Sequence, residues 1–422
     1  MAIIADLHIH SKYSRACSAK LDLQNLEKFA RIKGISLLGT GDFTHPKWIK
    51  ELKTKLVEDG SGILRTKRGF PFLLSTELSF IYSQGGKGRR IHNIVLAKNF
   101  EMVDQITDIL GKNGRLDYDG RPIFGISCIE FVELMKEIDE SIEIIPAHIW
   151  TPWFSLFGSN SGFDAVQECF GDQTKHIHAL ETGLSSNPAM NWRLSQLDKF
   201  QIVSFSDSHS FWPWRLGREA TVFDTKLQYD TIVHALRTGE GLAETMEVSP
   251  LFGKYHLTGH RNCNVCMEPK EALQHKNICP KCKKPLTVGV EQRVEALADR
   301  ELGYRPKHAK PFKTLIPLTE LLAQLFNAGI ATKRVLAEYF KIVEAFGNEL
   351  RVLLEASSQE LRKVTQEPIV DVILQNREGK VPIKGGYDGV YGVPLVIPIE
   401  DKTAIERKTS KAERGQPTLL DF

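Results

Sequence analysis

Histidines and carboxylates recur in short segments of this chain, and these are residue types that bind divalent metals. His8 and His10 lie two residues apart in an extended segment, so their side chains point the same way, and Asp207 and His209 repeat that spacing. The further candidate ligands are Asp42, Glu77, His92 and His148. Nitrogen and oxygen donors without a thiolate suit ions such as Zn or Mn, which activate water and hold phosphate. The pattern therefore predicts one multinuclear metal site of a hydrolase.

The elements that position these ligands are predicted to be strands alternating with helices over residues 1–245. Apolar runs at 2–5, 35–39, 72–74, 91–97, 142–145, 178–180 and 202–205 read as buried strands. Asp22 is placed to cap a helix that ends at Gly34. Repeated βα alternation favours a parallel sheet, and the candidate ligands lie at or just inside the strand ends. That is where a (β/α) barrel has its active site.

Some of these positions allow a structural role as well. A single buried histidine such as His92 or His148 is more often a hydrogen-bonded core residue than a ligand. Their joint placement at strand ends favours ligation. Glu181 fits either a ligand or a salt-bridge partner, and either Asp42 or His45 can serve at the second strand end.

Four cysteines predict a second metal site, in residues 250–290. Cys263 and Cys266, then Cys279 and Cys282, form two Cys-x2-Cys pairs with the spacing of a zinc ribbon. Such a site binds one structural zinc and has no open position for catalysis. The surrounding lysines allow contacts to a nucleic-acid backbone, and a solvated face is an equal alternative.

The bulk composition is that of an ordinary globular protein, with 422 residues, 42% hydrophobic residues and a net charge of +3. No apolar run is long enough to cross a membrane and no signal pattern begins the chain, so we expect a cytoplasmic protein without a membrane partner. So small a net charge means that contacts to a polyanion need local clusters. Residues 304–313 form a basic segment with aromatics, and the glycine-rich segment 385–392 fits either close approach to a polyanion or a tight hairpin.

The region 291–400 is predicted to be mainly helical. Helices are expected at 318–327, after Thr332, and at 348–356. The last segment, 401–422, reads as a charged flexible linker that ends in Gln-x-x-Leu-x-x-Phe. That ending resembles the short peptide that binds the replication sliding clamp, with Gln416, Leu419 and Phe422 as its contact residues.

Together, the Asp-x-His-x-His segment, the strand-end carboxylates and the terminal Asp-x-His resemble the PHP (polymerase and histidinol phosphatase) metallophosphoesterases. The resemblance implies a distorted (β/α)7 barrel with two or three divalent metals (Zn, Mn or Mg). It implies as ligands the residues His8, His10, Glu77, His92, His148, Asp207 and His209. Where family members usually read Asp-His, this chain reads Asp42-Phe43.

Over the whole chain, the barrel, ribbon, helical region and tail resemble the endonuclease Q family, and so does the segment 183–193. The resemblance implies a metal-dependent nick in duplex DNA, 5′ to uracil, hypoxanthine, xanthine or an abasic site, by a protein associated with the nucleoid. His8, His10, Glu77 and Asp207 are then the expected catalytic residues, and Tyr13 and Asn191 the candidates to contact the displaced nucleotide. A PHP-type small-molecule phosphatase is the alternative, although it needs neither ribbon nor tail. A non-catalytic DNA- or clamp-binding scaffold needs no ligand set.

Overall fold

The computed structural model describes residues 2–398, and its N-terminal part is an α/β barrel. Its strands are β1 (Ile3–Asp6), β2 (Leu37–Gly39), β3 (Val57–Glu58), β4 (Leu64–Arg65), β5 (Pro71–Gln84), β6 (Lys87–Ala97), β7 (Ile123–Phe124), β8 (Glu143–Pro146), β9 (Ala179–Glu181), β10 (Gln201–Val203), β11 (Ala220–Phe223) and β12 (Leu242–Glu247). Its helices are α1 (Leu23–Lys33), α2 (Pro46–Lys55), α3 (Phe100–Asn113), α4 (Cys128–Ile138), α5 (Val166–Phe170), α6 (Pro188–Asn191) and α7 (Tyr229–Thr238).

Seven of these strands form a closed circle. β1, β2 and β5 pair in parallel, whereas β6 runs antiparallel to both of its neighbours, β5 and β8. Just past β8, the N–H of Ile149 donates to the carbonyl of Glu181 in β9 at 3.1 Å, and β9 pairs in parallel with β10. The circle closes where Ile9 bridges Ser208 and the N–H of His10 donates to the Ser208 carbonyl at 2.9 Å. The predicted distorted barrel is therefore confirmed, and the reversed β6 is its distortion.

The seven strands of the circle pack their buried side chains into one apolar core. A cluster of buried side chains takes members from β1, β2, β5, β6, β8, β9, β10 and α7. The polar residues at the C-terminal ends of the parallel strands therefore lie together at one end of the barrel, the barrel mouth.

Local sequence signals set the element ends as expected. The Asp22 carboxylate caps α1 by accepting from the Asn25 N–H at 2.9 Å, and Gly34 (φ 101°) ends the helix with its N–H on the Ala30 carbonyl. Gly85 and Gly86, with φ of 62° and 73°, form the two-residue turn between β5 and β6. Both positions of such a turn need positive φ, which glycine adopts without strain.

The chain leaves the barrel through an extension of the same sheet and enters the ribbon and the helical region. The remaining elements are β13 (Thr258–His260), β14 (Val265–Met267), α8 (Pro269–Gln274), α9 (Val290–Leu297), β15 (Phe312–Thr314), α10 (Leu318–Leu325), α11 (Lys333–Phe346), α12 (Glu349–Leu354), α13 (Ser358–Val364), α14 (Glu367–Arg377), β16 (Ile383–Lys384) and β17 (Val393–Pro394). β11 pairs with β1, β12 with β11, and β15 with β12. β15 therefore anchors part of the predicted basic segment to the sheet.

Helices α10 to α14 pack around an apolar core of their own, as the predicted helical region requires. A buried ion pair ties this core to the barrel, with Lys33 Nζ 2.8 Å from Glu349 Oε1. Across residues 2–398, none of the helices combines the length and the apolar character needed to span a bilayer.

Candidate active site

Two groups of potential ligand atoms meet at Glu77, in the middle of β5. Their members are His8, His10, Glu77 and Asp207 in one group and Glu77, His92 and His148 in the other, and within each group the ligand atoms lie within 4.8 Å of one another. Glu77 Oε2 lies 3.5 Å from His8 Nε2 and 3.2 Å from His10 Nε2. Glu77 Oε1 lies 2.7 Å from His92 Nδ1 and 3.0 Å from His148 Nε2. Each oxygen of one carboxylate thus faces a different group, so Glu77 could contribute a ligand atom to each group.

Three residues of the barrel mouth adopt left-handed backbone conformations just past their strands. They are Asp42 (φ 47°), His148 (φ 30°) and Asp207 (φ 46°). A non-glycine residue in this region costs on the order of 1–3 kcal/mol, and it persists where the surrounding contacts fix it. Here the strain accompanies the turns that carry these side chains at the barrel mouth.

Two carboxylates contact His8 and His10 at Nδ1, the ring nitrogen that is not directed toward Glu77. Glu181 accepts from His8 Nδ1 at 2.9 Å and from the backbone N–H of His148 at 2.6 Å. Asp42 accepts from His10 Nδ1 at 3.0 Å. Occupied Nδ1 atoms direct the Nε2 atoms of both histidines toward Glu77 and Asp207, as is common for histidines that bind metals. Asp42, predicted as a ligand, therefore contacts His10 on its Nδ1 side and lies outside both groups of ligand atoms, and Glu181 contacts His8 in the same way.

The electrostatics of the site favour cations. Burial raises the pKa of Glu77, but the charges of His92, Arg121 and His8 outweigh burial and hold that pKa well below its ordinary value. The pKa of Asp207 is likewise held well below its usual range, because a hydrogen bond from His10 and the charge of His8 outweigh desolvation. Burial lowers the pKa of His8, and the nearby Glu181 and Glu77 reverse that effect and raise it well above normal. Ionised carboxylates thus concentrate negative potential at one point.

The donor set fits divalent metals. His8 Nε2 is buried and has no hydrogen-bond partner among the described residues, although it lies 3.5 Å from Glu77 Oε2 and 3.6 Å from Asp207 Oδ1. A buried polar atom without a partner is rare in a folded protein. A cation coordinated by imidazole and carboxylate would satisfy this atom and the carboxylates together.

An arginine that the sequence analysis did not single out reaches the Glu77 carboxylate. Arg121 Nη1 donates to Glu77 Oε2 at 2.9 Å, and its side chain is 28% exposed. Its loop packs closely on the site, since a Cβ on the neighbouring Gly120 would lie 2.2 Å from Asp42 Oδ2. No spacing pattern marks Arg121, because it arrives from a loop distant in sequence from the other site residues.

The remaining predicted ligand, His209, lies at the rim of the first group. Its ring centroid is 4.1 Å from that of His10, and its side chain is 32% exposed. It is outside both groups of ligand atoms in the described part of the chain. The structure therefore brings His8, His10, Glu77, His92, His148 and Asp207 together, and it leaves His209 beside them.

The two predicted nucleotide contacts differ in their surroundings. Tyr13 is half-buried and its ring stacks on that of His45, with centroids 4.3 Å apart. Asn191 is fully buried, accepts from Trp150 Nε1 at 2.8 Å and donates to the Asn187 carbonyl at 2.9 Å. These bonds hold the loop that follows β9, so Asn191 supports the barrel mouth from within.

In the ribbon, the structure brings together His260, Cys263, Cys279 and Cys282, whose ligand atoms lie within 4.8 Å of one another. Cys266, predicted as the fourth ligand, is exposed and lies outside this group. The cluster of sulfur and imidazole donors fits a divalent metal, as the Cys-x2-Cys spacing predicted for this region.

Of the three other predicted segments, two have clear positions in the structure and the third lies outside the described residues. The basic segment 304–313 borders a cavity of about 760 Å³ together with Trp192 and the start of β10, at the opposite end of that strand from Asp207. The glycine-rich segment 385–392 is a tight turn, in which Tyr387 N–H donates to the Val390 carbonyl at 3.0 Å. The tail residues Gln416, Leu419 and Phe422 lie outside the described residues.

A distorted α/β barrel with histidine and carboxylate donors gathered around Glu77 defines a metallohydrolase of the barrel class. Solved structures give the family. A crystal structure described as the lesion-specific endonuclease PfuEndoQ from Pyrococcus furiosus is 30% identical, with a TM-score of 0.83, and the match covers 94% of this chain and 96% of that one. A structure of Endonuclease Q in complex with a 27-mer duplex that has an abasic lesion at the active site is also 30% identical, with a TM-score of 0.85 and coverage of 94% and 97%. The chain belongs to the endonuclease Q family.

Sequence relatives match this chain over most or part of its length. The uncharacterized protein YqxK of Bacillus subtilis is 30% identical over 414 residues, which cover 92% of this chain and 98% of YqxK. The uncharacterized protein MJ0043 of Methanocaldococcus jannaschii is 32% identical over 289 residues, which cover 66% of this chain and 34% of MJ0043. The chain thus matches about a third of MJ0043 and nearly all of YqxK. A family model described as the MJ0043 C-terminal domain matches residues 317–380, the helical region.

Proposed function

We propose that this protein is a metal-dependent endonuclease that nicks damaged duplex DNA. The observation that carries the proposal is the pair of ligand groups joined at Glu77, in a chain that aligns over 94% of its length with an endonuclease Q bound to a duplex with an abasic lesion. The proposed cut lies 5′ to the damaged nucleotide, and the proposed lesions are uracil, hypoxanthine, xanthine and abasic sites.

The proposed chemistry needs two or three divalent cations (Zn, Mn or Mg). When bound, such cations supply Lewis acidity at the scissile phosphate and lower the pKa of water. His8, His10, Glu77 and Asp207 would hold them at one group, and Glu77, His92 and His148 at the other. Glu181 fixes the orientation of His8 and the position of His148, so that the donors need no rearrangement before reaction.

Arg121 is the proposed phosphate contact. Its guanidinium lies 2.9 Å from Glu77 Oε2 and remains partly exposed, so it reaches the Glu77 carboxylate and solvent together. A fixed cation at this place neutralises charge that develops on the phosphate oxygens during cleavage.

DNA contact is proposed for the surface that follows the Asp207 segment. Trp212 and Trp214 stack with ring centroids 5.0 Å apart, while Arg215 and Lys254 lie over the Tyr391 ring, at 5.4 Å and 5.9 Å. Burial raises the pKa of Tyr391, but the positive charges around it, Arg218 foremost, outweigh burial and lower that pKa. Trp214 and Arg218 are buried, while Trp212 and Arg215 are partly exposed and Lys254 and Tyr391 are exposed. These accessible aromatic and positive groups suit a phosphate backbone.

Access to the cut site requires the damaged nucleotide to leave the base stack, which is least costly for lesions that pair weakly. Tyr13, half-buried beside the barrel mouth, is the proposed contact for that nucleotide, and Asn191 is proposed to shape the loop around it. We further propose that the tail binds the sliding clamp through Gln416, Leu419 and Phe422, and that the protein acts at the nucleoid.

The test is a nicking assay on end-labelled duplexes that each carry one uracil, hypoxanthine, xanthine or abasic site, beside an undamaged duplex. The proposal predicts one metal-dependent cut 5′ to each lesion and none in the undamaged duplex. Release of phosphate from small phosphomonoesters without cleavage of any duplex would instead establish the phosphatase alternative.

A further inference from the structure

The ribbon hairpin turns one of its four cysteines away from the others. β13 and β14 are antiparallel, with His260 opposite Val265 and Gly259 opposite Cys266. Val265 and Met267 are buried in the small ribbon core, whereas Cys266 between them is exposed. Because side chains alternate along a strand, Cys266 can turn inward only if both apolar neighbours turn outward.

A histidine takes the place that Cys266 leaves. His260 Nδ1 lies 3.3 Å from Cys282 Sγ, and both atoms belong to the group that includes Cys263 and Cys279. Zinc binds nitrogen at about 2.0–2.1 Å and sulfur at about 2.3 Å, so a tetrahedral site separates such a pair of donors by roughly 3.5 Å. The observed separation is close to that value.

The two pairs of donors share their spacing and the backbone conformation of the residue that follows. In each pair two residues separate the donors: His260 and Cys263 in the first, and Cys279 and Cys282 in the second. The residue after each pair has positive φ, at 49° for Asn264 and 62° for Lys283. The pair His260 and Cys263 therefore forms the turn that the sequence spacing had assigned to Cys263 and Cys266.

Hydrogen bonds support both turns. Asn264 N–H donates to the Arg261 carbonyl at 3.1 Å, and Lys283 N–H donates to the Cys279 carbonyl at 2.9 Å. Two hydrogen-bonded turns thus hold the donors, whose ligand atoms lie within 4.8 Å of one another.

We propose that the ribbon binds one zinc through His260, Cys263, Cys279 and Cys282, with Cys266 outside the site as an exposed thiol. Three thiolates and one imidazole complete a closed tetrahedral site of the structural kind. The site is independent of the barrel chemistry, because the two groups at Glu77 contain histidines and carboxylates without cysteine.

Alkylation of the full-length zinc-loaded protein with a maleimide, followed by peptide mass spectrometry, tests the assignment. We expect Cys266 to be modified while Cys263, Cys279 and Cys282 stay protected until a chelator removes the zinc, because metal-bound thiolates react slowly. Buried Cys128 serves as an internal control that stays unmodified in the folded protein. Protection of Cys266 together with the other three cysteines, lost only on chelation, would overturn the proposal.

Substitution with cobalt supplies a second measurement, since a thiolate-to-cobalt absorption band can arise at the ribbon and not at the groups around Glu77. Cys266→Ser is expected to keep the wild-type band and His260→Ala to weaken or lose it. His260→Cys, which restores a donor at the same turn, is expected to keep the protein folded and to strengthen the band. Loss of the band in Cys266→Ser with an unchanged band in His260→Ala would contradict the assignment.

Discussion

Replacement of Glu181 by glutamine isolates the contribution of a residue that holds two histidines without facing the metal groups itself. In the native structure its carboxylate accepts from His8 Nδ1 at 2.9 Å and from the His148 N–H at 2.6 Å. Glutamine keeps the shape of the side chain and one accepting oxygen. Its amide NH2 cannot accept the second donor, so one of the two histidines loses its fixed position.

The expected effect follows from that single lost bond. A hydrogen bond to a charged group contributes about 1.5–3 kcal/mol, which is roughly 10- to 150-fold in an equilibrium constant. We therefore expect Glu181→Gln to weaken the binding of manganese by about 10- to 100-fold, as for other residues behind a metal ligand. Isothermal titration of the metal-free full-length protein with Mn²⁺ measures this loss, and saturating metal is expected to restore most of the nicking rate.

Glu143→Gln is the matched control. Glu143 is also buried and also bonds a histidine, with its Oε1 3.0 Å from His178 Nδ1, but it lies at the start of β8 and outside both metal groups. We expect Glu143→Gln to keep wild-type affinity for Mn²⁺. Equal affinities for wild type and Glu181→Gln, or an equal loss in both variants, would refute the positioning role of Glu181.

Three further predictions address other parts of the molecule. Arg121→Ala is expected to lower the nicking rate at saturating Mn²⁺ by about 100- to 1000-fold, and Arg121→Lys to recover part of it; an unchanged rate would exclude the phosphate contact. Lys33→Met removes the cation paired with the buried Glu349, which keeps, among the described residues, only hydrogen bonds from Leu318 and Tyr339, so the free energy of unfolding in urea should fall by about 3–5 kcal/mol. A fall under about 1 kcal/mol would contradict this coupling. Burial raises the pKa of Glu247 to about 7. The folded state therefore binds that proton more tightly than the unfolded chain, and stability is lost as pH rises from about 4.5 through about 7. Glu247→Gln should remove the part of this loss that Glu247 causes, on the order of 3 kcal/mol between about pH 4 and about pH 8 in urea unfolding, and leave the part due to Glu219, whose pKa burial also raises. Parallel pH profiles for variant and wild type would count against it.

The sequence predicts which residues form the site because the signals that mark those residues are local. Strand ends and X-x-His spacings are visible in a short window, and the structure gathers His8, His10, Glu77 and Asp207 as expected. The helix caps at Asp22 and Gly34 are equally local and were predicted correctly.

The roles of individual atoms depend on contacts that no local window contains. Asp42 lies behind His10 because of how its turn packs, and Arg121 reaches Glu77 from a loop distant in sequence. The two-residue spacing in the ribbon fits Cys263 with either Cys266 or His260. The burial of its neighbours Val265 and Met267 decides which face of the strand Cys266 occupies, and spacing alone carries no such information.

The most direct test of the central claim is single-turnover cleavage of an end-labelled duplex with one abasic site, in chelated protein and after Mn²⁺ is restored. Wild type is expected to make one cut beside the lesion only when metal is present. Asp207→Ala, which removes one member of the first group, is expected to make none while it remains folded. Cleavage at the wild-type rate by Asp207→Ala, or by chelated wild type, would contradict the claim that the groups around Glu77 carry the reaction.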